Sequence, residues 1–325
     1  MIFGGVDFRR VSNASGARGF YGEGYSFHRF LKPLGLDYAG ATFTAKTVTW
    51  APRDGNMPLA SSLQPKDFKP SCIVVKLRKG VVLNAVGLSN PGIVGMCYLW
   101  HRQRGYGSVG SPWMISIAAV GTEPGERAHE IRMIAATLQT AQLQEPYAIQ
   151  LNLSCPNTGH DQEELLHEAE GFYADIRSRV RNPVLFKLNM LVKPDIALRL
   201  PGEGFVVSNT LPWGTPGVDW RGLFGSEISP LAHLGGGGLS GKPLLPMVCE
   251  WIKRARDAGI TRPIIGGGGI LSKRDADRVL ASGASAIELG SVSILRPWRV
   301  AGIIKHVNRI HGGSDGRRFD HYSFT

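Results

Sequence analysis

The chain has 325 residues, about twice the ~150 residues of an ordinary domain, which leaves two domains or one large α/β barrel. Hydrophobic residues make up 43% and charged residues 19%, so the composition excludes long disordered stretches. The net charge of +11 suits anionic ligands, but the basic residues do not form blocks, and nucleic-acid binding is not expected.

Short apolar segments alternate with amphipathic segments along the chain. The segments predicted as strands are residues 6–13, 38–45, 113–118, 147–153, 183–188, 204–208, 263–266 and 286–289. The clearest predicted helices are residues 125–142, 162–180, 244–258 and 273–281. This alternation is typical of a parallel sheet with helical crossovers. Eight such units favour a (β/α)8 TIM barrel over a doubly wound sheet, since no G-x-G-x-x-G motif follows the first strand.

Two stretches interrupt the alternation. Residues 47–98 are too long for a simple loop and contain an apolar segment, residues 81–88, that we interpret as a small hairpin insertion. Residues 210–241 are rich in glycine and proline, show no clear helix, and are predicted to cover one end of the barrel as a lid. No low-complexity linker divides the chain, so residues 1–325 are expected to form a single domain.

The four cysteines indicate a reducing compartment. Cys72, Cys97, Cys155 and Cys249 form no C-x-x-C pair, so no metal site is predicted. Sparse cysteines without a pattern are typical of free thiols. No segment has the length and apolar character of a membrane anchor, and we expect a cytoplasmic protein.

Polar residues stand where several predicted strands end. They include Lys46, Asn152, Lys187 and Asn209. The reactive groups of an α/β barrel lie at the C-terminal ends of its strands, so these side chains are expected to meet. Glycine-rich turns end the last two strands, at residues 266–269 and at Gly290. Such turns bind phosphate through backbone N–H groups, which predicts a phosphorylated ligand.

The motif Asn-Leu-Ser-Cys-Pro-Asn at residues 152–157 resembles the signature of the dihydroorotate dehydrogenase family, the FMN-dependent enzymes of pyrimidine synthesis. Residues 45–49, 84–92 and 237–241 resemble further family motifs, and the matches run in the family's order from about residue 11 to 295. The resemblance implies a (β/α)8 barrel, FMN as cofactor, a dihydropyrimidine as substrate and a homodimer.

The resemblance also implies roles for individual residues. Cys155 matches the catalytic base, with Lys46 beside substrate and flavin, and a cysteine at this position is typical of the soluble class 1 enzymes. The substrate-binding residues that it implies are Lys46, Asn84, Asn152, Asn157, Asn209 and Thr210. The cofactor-binding residues that it implies are Ala14, Ser15, Lys46, Thr47, Asn152, Lys187, Gly238, Gly241, Gly268, Gly269, Gly290 and Ser291.

Two departures from the family pattern leave the exact dihydropyrimidine open. Residues 55–60 lack the arginine that the family carries after Gly-Asn-Pro, and Thr210 follows Asn209 where orotate enzymes often have serine. A second FMN barrel, of the tRNA-dihydrouridine synthase type, would use the basic charge for RNA, and a non-catalytic barrel is a third hypothesis. The electron acceptor stays open among fumarate, quinone, and NAD reached through a partner subunit.

Overall fold

Fourteen β-strands and ten α-helices make up the part of the chain that the structure describes. The computed structural model describes residues 1–3, 5–102, 112–143, 146–153 and 162–312. The strands are β1 Ile2–Phe3, β2 Val6–Asp7, β3 Val11–Asn13, β4 Phe43–Thr44, β5 Ile73–Lys76, β6 Val81–Asn84, β7 Trp113–Ile117, β8 Tyr147–Asn152, β9 Val184–Leu188, β10 Gly204–Val207, β11 Leu211–Pro212, β12 Gly238–Gly241, β13 Ile264–Gly267 and β14 Ala286–Leu289. The helices are α1 His28–Leu31, α2 Gly92–Arg102, α3 Pro124–Thr140, α4 Gln162–Arg177, α5 Pro194–Arg199, α6 Trp220–Phe224, α7 Leu244–Asp257, α8 Lys273–Ala281, α9 Val292–Leu295 and α10 Val300–Gly312.

Eight strands form a parallel barrel in the order β3-β14-β13-β10-β9-β8-β7-β4. Apart from the closure between its two ends, this order follows the chain, and every pair is parallel. The barrel closes where Ser12 bridges Thr42 in the parallel sense and the Thr42 N–H donates to the Val11 carbonyl at 2.8 Å. The predicted (β/α)8 fold is therefore confirmed.

A short N-terminal hairpin covers the end of the barrel at which the strands begin. Strands β1 and β2 pair in the antiparallel sense, and Phe3 and Phe8 contact each other edge to face at 5.6 Å. Both rings are buried in one apolar cluster with side chains from six barrel strands: Met114, Ala148, Leu185, Val206, Ile265 and Ala286. The barrel floor is thus a packed apolar plug.

The first predicted strand, residues 6–13, is wrong as one element, because the chain divides it into β2 and β3. Phe8 lies between them and is fully buried under the barrel, which takes its backbone out of the sheet. In the second, residues 38–45, the strand is limited to Phe43–Thr44, which pair with β7, and Thr42 adds the bridge to Ser12. Alternating apolar residues predict a strand equally well when they pack beneath a sheet as when they lie within it.

The two interrupting stretches fold together into one small sheet. Its order is β11-β12-β6-β5, and all of its pairs are antiparallel. Strand β6 supplies the start of the segment interpreted as a hairpin, but its hairpin partner β5 precedes it in the chain. The stretch predicted without a helix contains α6, which begins where the Asp219 side chain accepts the Gly222 N–H at 2.8 Å. Residues 47–98 and 210–241 therefore together form a small sheet, the roof, that covers the C-terminal end of the barrel.

Local signals fix where the long helices begin. Helix α3 begins with a capping box between Glu123 and Glu126 and has Pro124 in its first turn. Helix α8 begins where the Ser272 hydroxyl accepts the Asp275 N–H. Among the described residues, no helix combines the length and apolar character needed to span a membrane.

Arg127 joins α3 to α4 from a fully buried position. Its Nε donates to Glu168 at 2.9 Å, and its Nη1 donates to the Thr122 carbonyl at 2.7 Å. Its Nη2 also meets Glu164 at 2.7 Å. Because Nε, Nη1 and Nη2 of this buried guanidinium each have a partner, Arg127 fixes α3 relative to α4.

We expect Arg127→Ala to lower the free energy of unfolding by about 3–5 kcal/mol, because the change leaves buried acceptors without a donor. Denaturant unfolding followed by circular dichroism measures this loss. The matched control is Arg132→Ala on the same helix, whose ion pair with Asp175 is partly exposed, and it should cost less than about 1 kcal/mol. Equal losses in the two variants would contradict the role given to Arg127.

Candidate active site

A polar layer lies directly above the apolar plug of the barrel. Side chains two positions apart on a strand face the same side, so each strand that contributes to the plug also contributes the next interior residue. These next residues are Ser116, Gln150, Lys187, Ser208, Gly267 and Glu288. The five that carry side chains are all buried. The interior therefore changes from apolar to polar within one layer, toward the C-terminal ends of the strands.

A cavity of about 480 Å³ opens above this layer, a size typical of a small-molecule or cofactor site. It lies at the C-terminal ends of the strands, under the small sheet. The predicted site residues that line it are Ala14, Ser15, Lys46, Thr47, Asn84, Asn152, Lys187, Asn209, Thr210, Gly268, Gly269, Gly290 and Ser291. The fold thus brings together residues from seven barrel units and from the insertion.

Four predicted residues stand apart from this lining. Gly238 and Gly241 flank Ser240, which does line the cavity, and the Gly238 carbonyl accepts the side-chain amide of Asn84 at 3.4 Å. Cys155 and Asn157 lie outside the described residues. The chain is described as far as the end of β8, where Asn152 faces the cavity.

Lys46 follows β4 and is buried. Its ammonium group donates to the Ser89 carbonyl and lies 4.9 Å from the centroid of the Phe20 ring. A carbonyl and an aromatic face both attract a cation, so the contacts hold the charge inside the cavity. Lys46 can therefore meet an anionic group of a ligand.

Lys187, on β9, forms a buried ion pair with Glu288, on β14. The distance from Lys187 Nζ to Glu288 Oε2 is 3.3 Å, and Gln150 Nε2 donates to the other carboxylate oxygen at 3.4 Å. The side chains of the pair are only 6% and 2% exposed. Because β9 and β14 are not neighbours in the sheet, the pair crosses the barrel interior.

The amides of Asn152 and Asn209 contact each other. Asn209 Nδ2 donates to Asn152 Oδ1 at 2.9 Å, and Asn209 Oδ1 accepts the Thr210 N–H at 2.9 Å. The Asn209 acceptor is thereby used within the protein. Amides fixed in this way suit a planar ligand with carbonyl and N–H groups at its edge.

Glycine is required where the last two strand-end loops approach the rest of the site. Gly269 has φ +73°, and a Cβ there would lie 2.7 Å from the Gly241 carbonyl oxygen. A Cβ on Gly290 would lie 3.0 Å from the side chain of Ala14. The Ser15 and Thr47 hydroxyls are 2.9 Å apart beside this approach. The loops can therefore bring backbone close to a ligand.

Sequence reasoning missed Glu288 and the aromatic residues Tyr25, Phe27 and His28. Glu288 lies in the predicted strand 286–289 and was given no role, although its place two residues after Ala286 marks it as interior. Tyr25 and Phe27 stack at 5.8 Å, and His28 meets both rings edge to face. These three line the cavity from the start of the short helix α1, where His28 is the first residue and Tyr25 and Phe27 precede it, a segment whose sequence carries no periodic signal.

His28 is held neutral by its surroundings. Its Nδ1 accepts the Tyr25 N–H at 3.2 Å, which assigns the ring proton to Nε2. Burial, with smaller contributions from Lys32 and Arg18, lowers the pKa of His28 from 6.5 to about 4. The neutral ring therefore belongs to the apolar side of the cavity.

Comparison with known proteins assigns the family. The family model of dihydroorotate dehydrogenase matches residues 5–310. The chain belongs to the dihydroorotate dehydrogenase family. It is 30% identical to the catalytic subunit of dihydroorotate dehydrogenase B (NAD(+)) from Endomicrobium trichonymphae, over 90% of this chain and 86% of the relative. It is 29% identical to dihydroorotate dehydrogenase A (fumarate) from Lacticaseibacillus paracasei, over 92% of this chain and 93% of the relative.

A solved structure shows the same fold. The crystal structure of the DHODH of Eimeria tenella in complex with ferulenol superposes with a TM-score of 0.67 at 19% identity, covering 95% of this chain and 83% of that chain. Family membership makes this chain a dihydroorotate dehydrogenase-like oxidoreductase, and the family supports dihydroorotate oxidation in pyrimidine biosynthesis as its activity. The predicted family resemblance is confirmed.

Dihydroorotate dehydrogenases are FMN-dependent flavoproteins, and family membership supports FMN as the cofactor here. The residues present fit this group. Gly269 and Gly290 keep the last two loops free of side chains where a phosphate needs backbone donors. The Lys187 ammonium and the Asn152 amide lie in the same cavity, where the carbonyl edge of a flavin needs donors.

We expect Gly269→Ala to weaken FMN binding at least about tenfold and to lower the melting temperature, because the left-handed backbone and the Gly241 carbonyl both oppose a Cβ. Fluorescence titration of the apoprotein with FMN measures the binding. Gly125→Ala is the control, since its Cβ would meet nothing within 4 Å. Wild-type affinity in Gly269→Ala would contradict the role of this turn.

We expect acid to destabilise the fold through His28. Its pKa is lower in the folded state, so between pH 6.5 and about 4 the unfolded chain binds the extra proton, and stability falls as pH falls through this window. With allowance for solvent screening, the contribution is about 2 kcal/mol. Denaturant unfolding from pH 7 to pH 4 measures it. His28→Asn should flatten this part of the profile, whereas exposed His233→Gln should leave it unchanged.

Proposed function

We propose that the chain oxidises dihydroorotate to orotate, with Cys155 as the general base. Dihydroorotate loses a proton from C5 and a hydride from C6, which together remove two electrons and two hydrogens and form the ring double bond. The chemistry that FMN supplies when bound is acceptance of the hydride at N5. The observation that carries the proposal is the convergence of Lys46, Asn152, Lys187 and Asn209 on one cavity in a chain of this family.

Cys155 is proposed as the base because it follows strand β8, which ends at the cavity. Strand β8 delivers Asn152 to the cavity, and Cys155 follows three residues later in the family's motif. An ordinary thiol has a pKa near ~8.5 and is mostly protonated at neutral pH, so it needs a positive environment to act as a base. Lys46 and Lys187, buried in the same cavity, supply that environment.

The remaining polar residues are proposed to bind and orient the substrate. Lys46 complements the carboxylate of dihydroorotate, and the amides of Asn84, Asn152, Asn157 and Asn209, with Thr210, hold the ring. Lys187 is assigned to the N1/O2 edge of the flavin, where an ammonium group opposes the negative charge that reduction places there. The glycines and hydroxyls of the strand-end loops are assigned to the FMN phosphate and ribityl chain.

We further propose that the protein is a cytoplasmic homodimer, and that its electrons pass either to fumarate or, through a partner subunit, to NAD. The relatives reported above carry fumarate in one name and NAD(+) in another, which supports both routes. The exact dihydropyrimidine is the point on which family membership says least, because Thr210 and residues 55–60 depart from the family pattern.

Anaerobic mixing of the purified yellow protein with dihydroorotate should bleach the visible flavin band within the mixing time, whereas dihydrouracil should bleach it far more slowly. Cys155→Ala should keep the bound flavin but slow bleaching by about 10²–10⁴-fold, because a general base contributes on that order. Stopped-flow absorbance measures both. Cys249→Ala is the matched control, since this buried thiol lies on α7 and does not line the cavity.

Four outcomes would count against the proposal. Bleaching by dihydrouracil in preference to dihydroorotate would reassign the substrate. Near wild-type bleaching in Cys155→Ala would remove this thiol from the mechanism. A colourless protein that takes up no FMN would favour the non-catalytic barrel, and tight, salt-sensitive tRNA binding would favour the dihydrouridine synthase type.

A further inference from the structure

We propose that Glu288 is a positioning residue for Lys187, and that it sets how much positive charge the protein presents to the bound flavin. The inference rests on the proposed function, since it takes Lys187 to lie at the N1/O2 edge of FMN. It adds a residue to which neither the family motifs nor the strand-end pattern gave a role.

The geometry shows that Glu288 is built to hold a cation. One carboxylate oxygen lies 3.3 Å from Lys187 Nζ, and the other accepts a hydrogen bond from Gln150 Nε2 at 3.4 Å. Both neighbours are donors, so each oxygen of the carboxylate has a partner. Glu288 itself lines the cavity together with Lys187.

Because the ion pair is buried, the charges of Lys187 and Glu288 act strongly on groups in the cavity. With the Lys187 side chain 6% exposed and the Glu288 side chain 2% exposed, water screens neither charge well. The lysine side chain is flexible, and the contact with the carboxylate across the barrel helps to position its ammonium group. The same carboxylate offsets part of the positive potential above the polar layer. Glu288 therefore both positions the ammonium group and moderates its charge.

A consequence for the flavin follows from this charge balance. A lysine without its carboxylate would favour the negatively charged, reduced edge of the flavin more strongly. A flavin reduced too favourably would pass its electrons on less readily. We therefore expect that Glu288 keeps the potential of the bound FMN lower than Lys187 alone would set it.

The decisive experiment is a potentiometric titration of FMN-loaded protein with reference dyes. In Glu288→Gln, which keeps the size of the side chain and one acceptor oxygen but removes the charge, reduced FMN should bind at least about tenfold more tightly relative to oxidised FMN. For a two-electron couple this corresponds to a rise of about 30 mV in the potential. An unchanged potential in a variant that retains FMN would overturn the proposal.

The Lys187→Met background tests whether Glu288 acts through Lys187. Lys187→Met alone should lower the potential, and adding Glu288→Gln should then shift the relative affinity by clearly less than the roughly tenfold expected with Lys187 present, because only the carboxylate's own charge is left to act. A full tenfold shift in that background would overturn the positioning role, because Glu288 would be acting by its own charge alone.

Glu288→Asp serves as the conservative variant. It keeps the charge but withdraws it by one methylene, and the potential should rise by about threefold in relative affinity, between wild type and Glu288→Gln. If Glu288→Gln does not fold, this variant decides, since no rise would overturn the proposal. Glu168→Gln is the matched control, because it neutralises the acid of the buried Arg127 pair on α4, away from the cavity, and it should leave the potential unchanged.

The dye titration does not involve dihydroorotate, so it separates the two proposals. Failure of dihydroorotate to bleach the flavin, together with the expected shift in Glu288→Gln, would remove the proposed substrate and leave the role of Glu288 standing. Bleaching by dihydroorotate together with an unshifted potential in Glu288→Gln would keep the proposed substrate and remove the role of Glu288.

Discussion

The ion pair between Lys187 and Glu288 ties the site to the closure of the barrel. A buried ammonium group is costly unless a carboxylate meets it, and here the carboxylate comes from a strand on the far side of the interior. Two other strands, β10 and β13, separate β9 from β14 in the sheet. The pair can form only when the sheet is curved so that β9 and β14 face each other across the interior, so the curvature of the barrel also assembles the charges of the cavity.

The interior beneath this pair explains why the chemistry is confined to one end. Phe3 and Phe8 fill the N-terminal end together with apolar side chains from six strands. Two positions further along each strand the interior becomes polar. The cavity lies above this polar layer, at the C-terminal ends, where the lysines and asparagines face it.

The roof over that end is built from two distant parts of the chain. Strand β6 lies between the second and third barrel strands and β12 between the sixth and seventh, yet Asn84 and Gly238 are directly paired between them. This pairing brings Asn84, which lies outside the barrel strands, over the same cavity as Asn209. The amides proposed for substrate binding thus come from both layers, and their spacing depends on the register of the small sheet.

The eight parallel units, four of the longer helices and the family could be predicted from the amino-acid sequence alone. Apolar periodicity and capping residues act within a few positions of each other, and residues 152–157 identify their family without any contact. Most of the residues that line the cavity could also be predicted, because every strand of such a barrel ends on the same face. Only the tertiary structure decided the division of residues 6–13, the joint roof, and the partnership of Lys187 with Glu288. Each of these depends on a contact between segments far apart in the chain, and local patterns carry no information about which distant segment will meet them.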